Sequence, residues 1–428
     1  MAGQLDRDAV AAIRDEPVDH RFKGMPDLPP GTTIGDLVTE RRELATGGFV
    51  LPLMTLDAGA LEHNLATFAG WCAAHGLAHA PHGKTTMAPQ LFARQFDHGA
   101  WGQTCANLSQ LRVYRAFGVD QVLLANQLVD PAGLAWLGRE LDRDPSFGFR
   151  CWVDSVRGVE LMTEGLRGTR RPVDVLVEQG VPGGRTGVRD LAEGVAVAEA
   201  VAASPALRLV GVGGYEGPVT HDTTAEALGR VHAWLDGLRT LTGELAGRGH
   251  FDGVAEVIVT AGGSAYFDQV AQVFAGPWPG GLPVLPVVRS GAYVTHDAGT
   301  YRRQSPLGES PRISDAAPLR PAVRIWAEVT SAPEPGLALL TAGRRDVPFD
   351  SDLPNPEVVR RRGATTEEPL TATVFKVNDQ HAYVRHDSLA VGDRVGLGIS
   401  HPCTAFDKWT LIPVVDDGMV VDLVRTYF

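Results

Sequence analysis

The sequence Ala-Pro-His-Gly-Lys-Thr at residues 80–85 lies between a short apolar run at residues 77–80 and a predicted helix that begins near Ala88. Its lysine, Lys84, therefore follows the end of a predicted strand. Parallel α/β proteins place their chemistry at the carboxyl ends of such strands. A lysine is otherwise found mostly on solvated surfaces. Features elsewhere in the sequence are therefore needed to distinguish a functional Lys84 from one that is merely exposed.

Short β-rich segments alternate with helical patterns from residue 77 to residue 290. Eight strands joined by helical crossovers favour a (β/α)8 TIM-type barrel, an α/β fold, and an open doubly wound sheet is the alternative architecture. The predicted strands are 77–82, 101–106, 121–126, 147–153, 173–179, 208–214, 256–261 and 284–290.

In a barrel, the residues that follow the strands meet at one mouth. Two of these connections are glycine turns, Gly262-Gly263-Ser264 and Ser290-Gly291-Ala292-Tyr293, at the positions where this fold often binds phosphate. Each turn by itself is equally typical of a tight connection that needs a left-handed glycine. Together with the lysine, they indicate pyridoxal phosphate, which needs an amine and a cradle for its dianion. The other residues expected at the mouth are Cys105, Asn107, Asn126, Asp154, Gln179, Arg185 and Tyr215.

The composition limits the class of protein. The chain has 428 residues, of which 44% are hydrophobic and 21% charged, so it suits two soluble globular domains with no predicted membrane span. Its formal charge of −12 disfavours a nucleic-acid partner. The N-terminus is polar and shows no signal peptide, and the four cysteines form no CxxC pair. A cytoplasmic protein without disulfides is expected.

The predicted domains are an N-terminal arm at residues 1–47, the barrel at 48–300 and a mostly β domain at 301–428. The arm is polar, contains several prolines and is predicted to be extended. The last domain shows period-two runs in place of helical periodicity, and the strand predicted near 49–57 is expected to join its sheet. Residues 343–369 are rich in Arg, Pro, Asp and Glu and are predicted to form an exposed excursion.

The C-terminal domain contains the motif His-Pro-Cys at residues 401–403. On an extended segment, His401 and Cys403 can face the same side, and imidazole with thiolate suits Zn²⁺. The alternative is a packed cysteine beside a surface histidine. Two protein ligands leave coordination positions free, which favours a catalytic over a structural metal.

These motifs together resemble those of the D-serine dehydratase and D-threonine aldolase family. The resemblance covers the chain from about residue 48 to its end. It is carried by PHGK at 81–84, E-x-G…GRTG at 178–187, GGYEG at 213–217, the glycine-serine turn at 262–264, GAYVTHD at 291–297 and HPC at 401–403. The segment FDKW at 406–409 is similar to a branch known only as amino-acid deaminases.

The resemblance implies a fold-type III pyridoxal phosphate enzyme, with an alanine-racemase-like barrel, D-amino acid substrates and a homodimer. Lys84 would bind the cofactor covalently, and His401 and Cys403 would bind the metal. Tyr215 and Arg185 would line the cofactor ring. The other implied cofactor-binding residues are His82, Gly262, Gly263, Ser264, Gly291 and Tyr293, of which Gly263, Ser264, Gly291 and Tyr293 would hold the phosphate. Gln179 departs from the family pattern, in which an acidic or aliphatic residue is frequent.

The favoured reaction is dehydration of a D-β-hydroxy amino acid, such as D-serine, D-threonine or D-threo-3-hydroxyaspartate, to a 2-oxo acid and ammonia. Cys403 favours Zn²⁺ over Mn²⁺, and zinc suits the departure of hydroxide. An aldolase that gives glycine and an aldehyde is the alternative reaction. A racemase would need a second base that no motif identifies, and a non-catalytic protein that carries pyridoxal phosphate would need no metal.

Overall fold

The computed structural model describes residues 3–428, and the chain begins with short helices that pack against the rest of the molecule. Helices α1 (Arg7–Ala11) and α2 (Ile34–Glu40) are followed by strand β1 (Leu53–Asp57). Thr33 and Asp36 form a capping box at the start of α2, which supplies partners for N–H groups that the helix itself leaves free. The prediction of an extended arm is wrong for these segments, because buried side chains such as Leu37 hold them on the core.

The middle of the chain forms a barrel of eight parallel strands, as the sequence predicts. The strands lie in the order β2-β9-β8-β7-β6-β5-β4-β3, and a bridge between His82 and Thr104 joins the two edges. The strands are β2 (Ala78–His79), β3 (Gln103–Cys105), β4 (Gln121–Gln127), β5 (Gly148–Val153), β6 (Val173–Gln179), β7 (Leu207–Gly214), β8 (Val257–Ala261) and β9 (Val284–Val288).

Helices surround this sheet. They are α3 (Ala58–Ala74), α4 (Pro89–Asp97), α5 (Leu108–Ala116), α6 (Pro131–Arg143), α7 (Val156–Gly165), α8 (Leu191–Ala202), α9 (Ala225–Gly247) and α10 (Phe267–Phe274). Inside the barrel, buried residues that include Leu123, Trp152, Leu176 and Ile258 form a separate apolar cluster. Because alternate residues of a strand face opposite sides of a sheet, one set fills the barrel and the other packs against the helices.

The last part of the chain is mostly antiparallel sheet. After helix α11 (Thr300–Gln304) come β10 (Val323–Glu334), β11 (Leu337–Leu340), β12 (Asn355–Arg360), β13 (Glu368–Pro369), β14 (Thr373–Val377), β15 (Ala382–Arg385), β16 (Arg394–Gly398), β17 (Leu411–Asp416) and β18 (Met419–Arg425). Strand β1 lies between β10 and β17 in this sheet, so the chain enters the second domain before it forms the barrel.

Residues 343–369 differ from the prediction of an exposed excursion. They contain β12, which pairs with β16, and β13, which pairs with β12. Asp346 and Val347 are buried. The charged residues of this segment misled the prediction because many of them form ion pairs across the sheet, as Arg360 does with Glu367 at 2.9 Å.

Two smaller expectations concern membrane spans and cysteines. In residues 3–428, no helix is long and apolar enough to cross a membrane. All four cysteines are free thiols, and Cys72, Cys105 and Cys151 are buried.

Candidate active site

A cavity of about 400 Å³ lies at the mouth of the barrel, beneath the C-terminal domain. It brings together ten of the eleven residues that the sequence predicts for the site. These are His82, Lys84, Arg185, Tyr215, Gly262, Gly263, Ser264, Gly291, His401 and Cys403. They come from the ends of five strands and from a loop of the second domain, so the cavity requires both domains.

Lys84 lies in a single 3-10 turn after β2. The chain has four lysines, and Lys84 is the one that lines the cavity. The preceding residue must be glycine, because a Cβ at position 83 would collide with the hydroxyl of Tyr114, which donates to the carbonyl of Thr104. The Pro-His-Gly-Lys motif therefore places the lysine close to the barrel wall.

His82 is half-buried beside this lysine, and its buried Nδ1 atom has no hydrogen-bond partner in the described chain. Burial lowers the pKa of His82 well below its usual value, and the charges of Lys84 and Arg289 lower it further. The imidazole is therefore neutral at physiological pH. Its unpartnered nitrogen is an orphaned polar atom in the cavity wall, where a bound group can satisfy it.

The two predicted glycine turns form an anion cradle. In the turn after β8, Gly262 has a φ of +91°, which favours glycine. The N–H groups of Ser264 and Ala265 donate no hydrogen bond within residues 3–428, and neither do those of Gly291 and Ala292 in the turn after β9. Ser264, Gly291 and Ala292 line the cavity, and unpartnered N–H groups at such positions are suited to bind the phosphate of pyridoxal phosphate. The residues present therefore fit this cofactor.

An aromatic and cationic wall lies beside the cradle. The Arg185 guanidinium is 4.7 Å from the ring centre of Tyr215. Arg289, which the sequence analysis missed, is buried, donates to the Thr260 hydroxyl and the Gly214 carbonyl, and lies 5.3 Å from the ring of Trp152. Burial lowers the pKa of Arg289 to about 10, while Glu216 and Glu178 act in the opposite direction. Arg289 therefore remains charged at neutral pH.

The candidate metal ligands face the lysine. Thr85, which directly follows Lys84, has its hydroxyl 3.3 Å from the Cys403 sulfur. His401 Nδ1 lies 2.7 Å from a carboxylate oxygen of Asp350, and Thr404 donates to the other oxygen at 2.6 Å. A carboxylate on one ring nitrogen orients the other toward a metal. No cluster of three His, Cys, Asp or Glu side chains suited to a metal is found among residues 3–428.

The two candidate ligands also influence each other's charge. Burial opposes ionisation of the Cys403 thiol, but the adjacent His401 outweighs it and lowers the pKa of Cys403. Burial likewise disfavours the imidazolium, and Cys403 and Asp350 together raise the pKa of His401 to about 9. A thiolate is the form of cysteine that binds metal.

Several predicted residues lie elsewhere. Tyr293, which is expected to hold the phosphate, does not line the cavity. Its ring packs in the core against Phe68 and His79, with ring centres 4.5 and 4.9 Å away. Of the other residues expected at the mouth, Asn126 lines the cavity. Cys105 is buried in the core, Asn107 caps α5, Asp154 accepts from Gly187 and Gln179 bonds the Trp234 carbonyl.

Tyr301 is a further residue that the sequence analysis missed. It lies on α11 and lines the cavity together with Cys403. Burial, followed by the negative charge of the nearby Cys403 thiolate, raises the pKa of Tyr301 well above its usual value, so the phenol is neutral. The GAYVTHD motif does not predict that Tyr301 lies at the cavity. The position of Tyr301 depends on how α11 packs under the second domain, which no local sequence pattern shows.

Comparison with known proteins supports the same class. Residues 56–248 match the family model described as alanine racemase, N-terminal domain, and residues 322–415 match the putative serine dehydratase domain. A D-threonine aldolase of Arthrobacter sp is 28% identical over 379 residues, which is 87% of this chain and 90% of that protein. A 3-hydroxy-D-aspartate aldolase of Paracoccus denitrificans is 28% identical over 307 residues, 71% of this chain and 74% of that protein.

Solved structures agree on the fold. The D-threonine aldolase from Filomicrobium marinum has a TM-score of 0.73 and 24% identity, and the match covers 89% of this chain and 95% of that one. The D-threo-3-hydroxyaspartate dehydratase from Delftia sp. HT23 has a TM-score of 0.69 and 20% identity, with 90% and 99% covered. The curated relatives, together with the two matched domains, indicate the class of protein, which is a pyridoxal phosphate-dependent lyase that acts on D-amino acids. Over most of its length, the chain is similar to the D-serine dehydratase and D-threonine aldolase family, through its two matched domains and its curated relatives.

Proposed function

We propose that this lyase removes water from D-β-hydroxy amino acids and releases a 2-oxo acid and ammonia. One observation carries the proposal. The cavity lysine and the cysteine of the candidate metal pair are linked through Thr85, whose hydroxyl contacts the Cys403 sulfur at 3.3 Å. A metal held by Cys403 would therefore lie near the amine that can remove the α-proton, where it could activate the β-hydroxyl.

The cofactor would be held by the residues that line the cavity. Lys84 would bind it covalently, Tyr215 and Arg185 would contact the ring, and the N–H groups of the two glycine turns would bind the phosphate. When bound, pyridoxal phosphate supplies a pyridine ring that accepts negative charge from the substrate Cα.

Two groups of this chain would then share the proton and leaving-group chemistry. The amine of the substrate would displace the Lys84 nitrogen from the aldehyde carbon of the cofactor, and the freed Lys84 amine would take the proton when the Cα–H bond breaks. His401 and Cys403 would hold a divalent metal, proposed to be zinc because one ligand is a thiolate. Such a metal supplies Lewis acidity that helps hydroxide leave when the Cβ–O bond breaks. The resulting enamine takes up water and yields the 2-oxo acid and ammonia.

Tyr301 offers a neutral hydroxyl on the same side of the cavity. Because the phenol keeps its proton and has no hydrogen-bond acceptor within residues 3–428, it can donate to a polar group of the substrate. We propose that it binds the substrate beside the metal pair.

An aldolase is the second candidate, and the names of the curated relatives favour it. That reaction needs a base for the hydroxyl proton, so that the Cα–Cβ bond breaks in place of the Cβ–O bond. Support for dehydration comes from Cys403 and from a dehydratase of this fold. A variant of D-threo-3-hydroxyaspartate dehydratase in which a cysteine is replaced by alanine has been solved in a metal-free form.

One assay separates the candidates. The enzyme is incubated with D-threonine, and ammonia, 2-oxobutyrate, glycine and acetaldehyde are measured together. Equal amounts of ammonia and 2-oxobutyrate are expected, with activity strongly reduced in Cys403→Ser. Glycine and acetaldehyde without ammonia would show the aldolase and contradict dehydration.

Controls make the result specific. L-threonine serves as the control substrate and Cys72→Ser as the control variant, since Cys72 is a buried thiol that does not line the cavity. Formation of L-threonine alone would indicate a racemase. No reaction with any D-hydroxy amino acid would leave the chain as a cofactor-binding protein.

A further inference from the structure

The carboxylate of Glu216 joins two neighbouring loops at the barrel mouth. Glu216 follows Tyr215 in the loop after β7 and is fully buried. Its Oε2 atom accepts from the N–H of Gly262 at 3.0 Å, and its Oε1 atom accepts from the N–H of Gly263 at 2.6 Å. Both glycines belong to the turn after β8. One side chain therefore crosses from one loop to the next and holds it at two points.

This contact determines which N–H groups remain for a ligand. Because Glu216 uses the first two donors of the turn, the donors left are the N–H groups of Ser264 and Ala265 and the Ser264 hydroxyl. Gly263 and Ser264 line the cavity, and Glu216 does not. The carboxylate therefore lies behind the turn and directs the remaining donors toward the cavity.

The turn has little room to move around this contact. A Cβ built on Gly263 would lie 2.8 Å from Cε2 of Tyr215 and 3.3 Å from Oε1 of Glu216. Tyr215 faces the cavity, so a shift of Glu216 would displace the ring wall and the turn together. The hydrogen bonds of a buried carboxylate to two N–H groups are strong, since the acceptor carries a charge.

We propose that Glu216 is a positioning residue that holds the turn at residues 262–264 in the conformation that receives the cofactor phosphate. This inference rests on the proposed binding of pyridoxal phosphate and adds the residue that makes the site selective for the phosphorylated aldehyde. Pyridoxal reacts with the same lysine but has no phosphate. Comparing the Kd values of the two aldehydes therefore separates an effect on phosphate binding by the turn from any effect on the lysine or on the ring.

The experiment measures the Kd of pyridoxal phosphate and of pyridoxal for cofactor-free full-length protein, by the visible absorption of the adduct. In Glu216→Gln, the amide cannot accept from both glycines. Binding of pyridoxal phosphate is expected to weaken about tenfold or more, and that of pyridoxal to change by less than about threefold. Glu216→Asp keeps the charge but is one methylene shorter, so the same selective loss is expected.

Glu256→Gln is the matched control, because Glu256 is exposed on the loop before β8. In this variant, the Kd of pyridoxal phosphate and the Kd of pyridoxal should both stay unchanged. Thermal unfolding of each variant confirms that it folds, and if Glu216→Gln does not fold, Glu216→Asp gives the same comparison. Equal weakening of both aldehydes, or an unchanged preference for the phosphorylated one, would overturn the inference. Wild-type protein that binds neither aldehyde would overturn the proposed cofactor, and this inference with it.

Discussion

Asp350 shows how a single side chain can set the properties of the candidate metal pair. Its carboxylate contacts His401 Nδ1 at 2.7 Å and accepts from Thr404 at 2.6 Å. It therefore fixes the orientation of the imidazole, whose Nε2 remains for the metal. Sequence patterns gave no sign of it, because Asp350 lies 51 positions before His401 in a segment that was predicted to be an exposed excursion.

We expect Asp350→Asn to weaken metal binding about 10- to 100-fold, since partners of metal-binding histidines have effects of this size. Bound metal is measured by elemental analysis after dialysis against buffered zinc, which needs no activity assay. Asp379→Asn is the control, because Asp379 is exposed and pairs only weakly with Arg345 at 3.6 Å. Equal metal affinity in both variants would show that Asp350 does not orient the ligand.

His79 provides a second test at the level of one residue. It is buried between Phe68 and Tyr293 and bonds the Ser290 carbonyl at 2.9 Å. Burial lowers the pKa of His79 to about 4, although the bond to Ser290 acts in the opposite direction. The unfolded chain therefore binds a proton that the folded protein does not, between pH 6.5 and pH 4. Stability from this residue is present above that window and is lost as the pH falls.

In His79→Gln, the free energy of unfolding should depend less on pH between 6.5 and 4, by up to about 1.4 kcal/mol per pH unit. Urea unfolding at several pH values measures the slope, and His20→Gln, at an exposed position, serves as the control. The same slope in wild type and His79→Gln would mean that the histidine is protonated without cost in the folded state.

The sequence predicts elements most accurately where the physical signal is local. All eight barrel strands were found, because buried parallel strands are short apolar runs that alternate with amphipathic helices. The glycine turns and the Lys84 motif are also predicted from local signals, because each directly follows one of these strands. Arg289, Tyr301 and Asp350 were missed, because their roles depend on contacts between segments far apart in sequence. Tyr293 was misplaced, because a turn motif does not show which way its side chain points.

The N-terminal arm is an element whose helices the sequence did not reveal. Lys23 lies 3.7 Å from the ring centre of Trp409 and pairs with Asp346 at 2.9 Å. Asp346 is buried, and its backbone carbonyl accepts from the Trp409 indole N–H. The arm therefore supplies the positive charge that a carboxylate of the second domain requires.

We expect Lys23→Met to lower the free energy of unfolding by about 1–3 kcal/mol, because Asp346 then stays buried without its cation. Proteolysis of the arm should also become faster. Chemical unfolding measures the first effect. Lys376→Met is the control, because exposed Lys376 also lies over an aromatic ring, with its Nζ 4.8 Å from the ring centre of Tyr383. Within residues 3–428, Lys376 forms no ion pair with an acidic side chain. Equal destabilisation by both substitutions would show that the ion pair contributes nothing specific.

The whole molecule places its chemistry between its two domains. Strand β1 precedes the barrel yet lies inside the sheet of the second domain. The chain therefore crosses between the two domains twice, once after β1 and once after the last barrel strand. His401 and Cys403 thereby face Lys84 across the cavity. The homodimer implied by the family resemblance stays a prediction, and light scattering of the purified enzyme would test it.

Covalent attachment of pyridoxal phosphate to Lys84 is the claim on which the rest depends. Borohydride reduction of the purified protein converts a Schiff base into a stable bond, and mass spectrometry of its peptides then finds the modified lysine. The chain has only four lysines, and we expect a phosphopyridoxyl group on the peptide that contains Lys84 and on no other. The unreduced wild-type protein should be yellow, because a Schiff base conjugated to the pyridine ring absorbs visible light, and Lys84→Ala should be colourless. Modification of Lys23, Lys376 or Lys408 in its place, or of no lysine after incubation with the cofactor, would contradict it.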